Sequence, residues 1–168
     1  LGANGRELAK QWTWAKSCEL VAGVYRLAMV EEKPTVSMII PVYNKPDSDL
    51  IRAVVSCQQQ TLKPDRIIIV NDGSNNEYNF IKGYKGVEYI SQSNSGVANA
   101  RNNGIAHTSS KYICCLDSDD WIEPTFLEKC IKELEANRSI GIVYTGLRTH
   151  NSDGSSIISQ WPNAFNPD

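Results

Sequence analysis

Between Arg6 and Val30, apolar residues return at helical spacing: Leu8, Trp12, Ala15, Cys18, Val21, Val24, Tyr25 and Ala28 fall near steps of three and four. The pattern predicts an amphipathic helical segment. Glu31-Glu32-Lys33-Pro34 ends it, because a residue before proline is pushed out of the α region and the charges favour solvent. The rhythm then changes. Val36 to Asn44 reads as a short strand running into a proline-containing loop, and Asp47 to Gln59 as an amphipathic helix with Leu50, Ile51, Val54, Val55 and Cys57 on its buried stripe and Asp47 or Ser48 as its cap. Ile67 to Val70 is a run of four β-branched residues that breaks into Asn71-Asp72-Gly73-Ser74, as expected of a strand buried on both faces. Val87 to Ser91 predicts a third strand, Gly96 to His107 a helix, and Tyr112 to Leu116 another buried strand. Pro124 then opens a helix with Phe126, Leu127, Cys130, Ile131 and Leu134 inward, and Ile140 to Thr145 supplies one more strand. Asn151 to Ser156 reads as a hairpin turn.

Strands alternating with helices predict an α/β fold: a three-layer, open, mostly parallel sheet with an N-terminal helical appendage. The expected division is residues 1–33 as the helical segment and 34–168 as the sheet domain. Sheets of this kind bind ligands beyond the carboxyl ends of their strands. Three polar clusters fall there, Pro41 to Asn44, Asn71 to Ser74 and Asp117 to Asp120, and could converge on one crevice.

Composition narrows the ligand. A net charge of -2, with Lys and Arg scattered among Asp and Glu, gives no overall field for nucleic acid or an anionic membrane, so an anionic ligand must be held locally. No apolar run approaches the ~20 residues of a transmembrane span. Five cysteines, Cys18, Cys57, Cys114, Cys115 and Cys130, lack CxxC spacing and sit in apolar or helical patterns, which reads as buried thiols in a reducing cytosol. His107 and His150 are isolated in the pattern and read as surface residues.

The chemistry concentrates in Leu116-Asp117-Ser118-Asp119-Asp120. Carboxylates packed at a strand end repel one another unless a cation offsets them. Oxygen ligands without His or Cys suit Mg2+ or Mn2+, and an incomplete protein set leaves room for phosphate oxygens and water. The same aspartates also read as turn and cap residues ahead of the Pro124 helix. Asp72 stands at the end of the most apolar strand, either as a turn residue or as an acceptor for a nucleobase edge, with Pro41, Val42 and Tyr43 as a facing wall.

Val36 to Asn44 followed by a helix, Ile67 to Ser74, Asn94-Ser-Gly-Val-Ala-Asn-Ala-Arg-Asn-Asn-Gly, and Leu116 to Trp121, in this order and at these spacings, resemble the family-2 inverting glycosyltransferases. The resemblance implies the GT-A fold and a nucleotide site containing Pro41, Val42, Tyr43, Asn44, Asp72, Gly73, Asn94, Gly96, Arg101, Asp117 and Ser118. By that resemblance Asp72 contacts the base and Tyr43 packs against it. Asp117 reaches the ribose or the metal, and Asp119 binds the Mn2+ or Mg2+ that bridges the diphosphate. Arg101 and Asn102 are structural or approach the ribose. Asp120 has no family role and could cap the next helix.

The implied reaction is transfer from a nucleotide-diphosphate sugar, the donor being UDP-linked, to a saccharide acceptor with inversion. The family's base lies downstream of the matched region, on an acceptor-binding part this chain does not reach, so no catalytic base is assigned; Asp153 and Asp168 stand in no such motif. Residues 1–33 separately resemble the closing helices of retaining, GT-B-fold family-4 glycosyltransferases, against the alternative of an ordinary helix packed on the domain. That second resemblance implies a longer, multidomain polypeptide, cytoplasmic and stationed at the inner membrane face. Two rivals remain at this level: a non-catalytic nucleotide-sugar-binding module, and a nucleotidyltransferase. The latter wants a glycine-rich basic loop after the first strand, where this chain has Pro41-Val-Tyr-Asn-Lys-Pro.

Overall fold

The computed structural model describes Glu19, residues 33–151 and residues 153–159. The chain divides into two compact units, Leu1–Lys33 and Pro34–Asp168. The helical pattern of Arg6 to Val30, and the second resemblance carried by residues 1–33, lie outside the described residues, as does Cys18.

In the second unit, β1 (Val36–Val42), β2 (Arg66–Asp72), β3 (Val87–Gln92) and β4 (Tyr112–Cys115) form one sheet in the order β3-β2-β1-β4. Every pair in it is parallel. Every residue of β1 and all but the first of β2 are buried, because these two strands have neighbours on both edges and helices over both faces. That is why they read as unbroken apolar runs rather than alternating ones.

Alternate side chains serve different layers. Met38, Ile40, Val42, Ile67 and Ile69 pack with Leu50, Ala53, Val54 and Cys57 of α1 (Asp47–Gln58) and with Leu127 and Ile131 of α3 (Phe126–Ala136). Ile39, Ile68 and Val70 face the other way, onto Ala100 of α2 (Val97–Ala106). Each fully buried Ile or Leu contributes roughly 1.5–3 kcal/mol, so this two-sided core fixes where the strand tips end. Helix α2 lies very close: a Cβ on Gly104 would stand 2.5 Å from Ile39 Cγ2 and 3.1 Å from Val70 Cγ2, so only glycine fits there.

Several local expectations need correcting, the first being a buried strand at Tyr112 to Leu116: β4 lies at the sheet edge, and its residues alternate between half-buried and exposed. Pro124 does not open α3, which begins at Phe126. Gln60, buried at the end of α1, reaches across instead: its Nε2 donates to the Glu123 carbonyl at 2.8 Å, and its Oε1 accepts the Leu127 N–H at 3.0 Å. A distant side chain thus caps the helix, and Asp120, six residues upstream, does not. Nor does Ser48 or Asp47 cap α1. Pro46 holds that position, and the two aspartates of the first turn are Asp47 and Asp49, where negative charge suits the helix dipole.

Ile140 to Thr145 is not a strand; the last strands among the described residues are β5 (Leu147–His150) and β6 (Ser156–Ser159), an antiparallel hairpin closed by the Asn151 N–H donating to the Ser155 carbonyl. Finally, Cys115 is exposed, while Cys57 and Cys130 are buried, and all four described cysteines are free thiols. Burial pushes the Cys57 thiol up to about 12, far from thiolate reactivity. No described helix is long and apolar enough to cross a membrane.

Candidate functional site

The sheet register brings the ends of β1, β2 and β3 level, Val42 pairing with Asn71 and Asp72 with Gln92, while β4 stops earlier, its last residue Cys115 lying beside Ile39. The chain leaves each strand into a polar loop, and the loops surround a cleft of about 570 Å³. Pro41 and Val42 line it from the end of β1 and Tyr43 from the loop that follows, Asp72 from β2, and Asn94, Gly96 and Arg101 from the loop and first turns around α2. Asp117, Ser118 and Asp119 line it from the loop after β4. Ten of the twelve lining residues are therefore those singled out by sequence. The other two, Lys45 and Val97, were missed.

Asn44 and Gly73 do not line the cleft; they shape its rim. Asn44 has a positive φ of 49°, its N–H donates to Ser74 Oγ at 3.0 Å, and its Oδ1 accepts the Asn75 N–H at 2.9 Å. This joins the loop after β1 to the loop after β2. Gly73 has a φ of 73°, and a Cβ there would meet the Asn94 nitrogen at 2.7 Å, so the close passage of the third loop requires glycine. Asn102 lines no part of the cleft and belongs to α2.

Asp72 is only 3% exposed. Its Oδ1 accepts the Ser95 N–H and Gln92 Nε2, both at 2.8 Å, and its Oδ2 accepts the Gly96 N–H at 2.9 Å. It is thus the anchor of the loop leading into α2. A carboxylate has about four acceptor positions; three are filled, which leaves one for a donor in the cleft. Tyr43 is half-exposed beside it, offering a ring face.

The acid loop is held by cations from three other segments, the loop after β1, α1 and α2. Lys45 Nζ meets Asp119 Oδ2 at 2.5 Å, and Arg101 Nη2 meets Asp117 Oδ1 at 2.5 Å. Arg52 of α1 donates to the Asp119 carbonyl at 3.0 Å and stacks 4.3 Å over the Trp121 ring, whose plane also meets His150 at a centroid distance of 5.0 Å. The hydrogen bond from Lys45 holds the Asp119 carboxyl below its usual range. Asp120 moves the other way: burial, then the charges of Asp119 and Asp117, push its carboxyl up. At Asp120, burial and the two neighbouring carboxylates thus outweigh the relief that Arg52 and Lys45 give.

In the donors they offer, the residues present fit a hard divalent cation. The donors are carboxylate oxygens, the hard ligands such an ion takes, and burial together with the charges of Asp119 and Asp117 disfavours the ionised form of Asp120 beside them. They do not form a closed cage. Among the described residues no group of three or more His, Cys, Asp and Glu side chains is gathered to hold a metal, so most of a six-coordinate shell would have to come from a ligand and water. The Arg101 Nε is buried without a hydrogen-bond partner, leaving that guanidinium under-used.

Comparison with known proteins bears on the family and the fold. Residues 37–165 match the model of the family described as glycosyl transferase family 2. The chain is 36% identical over 170 aligned positions to a chondroitin synthase of Pasteurella multocida (strain Pm70), covering 94% of this chain and 18% of the relative. It is likewise 36% identical over 170 positions to a hyaluronan synthase of Pasteurella multocida, covering 94% of this chain and 17% of the relative. The chain therefore spans about a fifth of the length of these relatives. A crystal structure of S. aureus TarS 1-349 superposes with a TM-score of 0.55 at 20% identity, over 62% of this chain and 33% of that one, a likeness of fold.

Proposed function

The chain belongs to glycosyl transferase family 2, and from that premise we propose that its second unit is the donor-binding part of a glycosyltransferase that takes a UDP-linked sugar and, with Mn2+ or Mg2+, transfers the sugar with inversion to a growing glycan. What supports the reading is one observation: Asp72, Asp117, Asp119, Lys45 and Arg101, drawn from four separate stretches of sequence, line a single cleft at the carboxyl end of a parallel sheet.

In this reading the base lies between Tyr43 and Asp72. The ring supplies a stacking face, and the one open acceptor position of Asp72 takes an N–H of the base edge. Asp119 and Asp117 would hold the divalent cation, which, when bound, offsets charge on the departing nucleoside diphosphate. Arg101, with its Nε unpaired, turns toward ribose or phosphate oxygens. Gly96 and Asn94 let the backbone of the third loop pass close to the ligand.

Activation of the acceptor hydroxyl requires a base. Among the described residues none is assigned: beyond Glu135 the described acid is Asp153, whose carboxylate is taken by the hydroxyl and N–H of Ser155 in the hairpin turn. We extend the reading to a longer polypeptide that works in the cytoplasm at the inner membrane face, supported by the free thiols and by the fraction of its relatives that this chain spans.

Calorimetric titration of UDP into the chain tests the proposal. Saturable binding that requires Mn2+ and disappears with a chelator is expected. A folded sample that gives no metal-dependent heat with UDP or any other nucleoside diphosphate would defeat it.

A further inference from the structure

The ion pair between Lys45 and Asp119 poses a problem for the reading above. A carboxylate proposed to hold a divalent cation already holds an ammonium at 2.5 Å. The lysine is not there by drift, because its backbone is gripped from the core. Tyr78 is 1% exposed, and its hydroxyl accepts the Lys45 N–H and donates to the Lys45 carbonyl, both at 2.8 Å.

Tyr78 itself sits in the left-handed region at a φ of 45°, a conformation uncommon for a bulky aromatic residue. Its surroundings enforce this: its N–H donates to Asn76 Oδ1 at 3.1 Å, and its ring packs edge-on to Phe80 at 6.3 Å. Strained backbone of this kind persists where neighbouring structure over-determines it, and it clusters at working sites. On the other side of Lys45, Asn44 is the second non-glycine residue with positive φ among the described residues. The loop carrying the lysine is thus fixed at both flanks while its side chain stays 40% exposed.

We propose that Lys45 is an exchangeable counter-ion for Asp119, displaced when a divalent cation binds, and that Tyr78 is the positioning residue that keeps the ammonium poised at the cleft in both states. This deepens the metal-dependent reading of the same site and rests on it. With no metal, the ammonium offsets part of the crowded charge of the acid loop. Once displaced, it remains beside the cleft, held by the same loop, where it faces the anion that accompanies the metal. Lys45 would therefore weaken binding of the metal alone and strengthen binding of metal together with diphosphate.

The test uses the full chain with Mn2+ alone, and Mn2+ with UDP, as probes, followed by electron paramagnetic resonance and calorimetry. Lys45→Met is expected to tighten Mn2+ alone by about threefold, the scale an exposed ion pair supports, and to reduce the gain in affinity that UDP brings. Tyr78→Phe keeps the buried ring and should shift both quantities in the same direction by less. In the double variant the two effects should be non-additive, because Tyr78 acts through Lys45; a merely structural Tyr78 would lower the melting temperature and add independently.

Unchanged or weaker Mn2+ binding in Lys45→Met, or strict additivity with Tyr78→Phe, overturns the inference while leaving the functional reading intact. Failure of the unsubstituted chain to bind UDP with Mn2+ overturns the functional reading instead.

Discussion

The two ends of the parallel sheet use the same materials to opposite effect. At the amino end, polar groups close seams. The Val36 N–H donates to Asp65 Oδ2 at 2.8 Å, Arg66 pairs with both oxygens of Glu88 and reaches the His107 carbonyl, and Ser37 Oγ, fully buried, bonds Thr108 and Ser110 at 2.8 and 2.7 Å. Each partner there lies on a neighbouring strand or the segment feeding one. At the carboxyl end, Lys45–Asp119 and Arg101–Asp117 join loops around a cleft, and three lining carboxylates, Asp72, Asp117 and Asp119, face two lining cations. Saturated polar groups make a lid on the core, whereas an imbalance beside open volume makes a site for a ligand.

That contrast is broken most severely by removing Asp119. Asp119→Ala should abolish metal-dependent UDP binding, weakening it by at least about 100-fold, since even groups that only orient metal ligands cost 10–100-fold when lost. Stability should change little, because the substitution also removes charge crowding at Asp120. Calorimetry and thermal melts on the same sample check both halves; equal metal-dependent affinity in variant and unsubstituted chain would remove Asp119 from the site.

Helix α2 connects the two ends. Its N-terminal Gly96 is tied to Asp72 at the cleft, and the residue after it, His107, accepts from Arg66 at the other end. Gly104→Ala places a methyl against Ile39 and Val70, and overpacking of this kind costs about 1–3 kcal/mol, more than the up to about 1 kcal/mol that alanine gains in helix propensity. Both the melting temperature and UDP affinity should fall, because displacing α2 also displaces Arg101. A variant with lowered stability and unaltered affinity would show that the ends are mechanically independent.

Ser37→Ala acts at the amino end alone. It leaves the Thr108 and Ser110 hydroxyls bonded to each other at 3.2 Å but deprived of their buried partner, for an expected loss of about 1–2 kcal/mol. Nucleotide affinity should be unchanged. Chemical denaturation beside a UDP titration measures both, and a fall in affinity comparable to the fall in stability would contradict the division of labour.

The same division explains which features were legible in the sequence. β1 and β2 are readable because strands covered on both faces are apolar throughout, and the cleft because a polar cluster follows each of them and a third follows the apolar edge strand β4. Lys45 was overlooked: it was counted only as the single basic residue of a loop too poor in glycine for a triphosphate. Its grip by Tyr78, 33 residues away, leaves no local signal. Asn44 and Gly73 were read as ligand contacts because motif membership does not separate residues that touch a ligand from residues that hold the loop's shape. The start of α3 depends on Gln60, also remote in sequence. β5 and β6 are exposed along their whole length, so neither carries the alternation that marks a half-buried strand, and the apolar residues at Ile140 to Thr145 drew the assignment away from them.

Acidification should produce the smallest effect, with opposite signs at the two ends. At the amino end, Arg66 holds the Glu88 carboxyl low, and Lys111 with Tyr112 does the same for Glu135. A lowered carboxyl stabilises the fold fully above its unfolded value, near 4.5 for these glutamates, and that contribution is lost as pH falls through the lowered folded value. Asp120 at the carboxyl end is raised by burial and by its neighbours, so it behaves in reverse. Its contribution is most favourable below the ordinary 3.8 and is lost as pH rises through the raised value, leaving a penalty at neutral pH. Urea unfolding at neutral pH should accordingly show Asp120→Asn more stable than the unsubstituted chain and Glu135→Gln less stable, with both differences shrinking as the pH is lowered toward 3.8. Should Asp120→Asn instead lose stability at neutral pH, burial and the neighbouring carboxylates would not be penalising the ionised form of Asp120, and the contrast between the two ends would fail there.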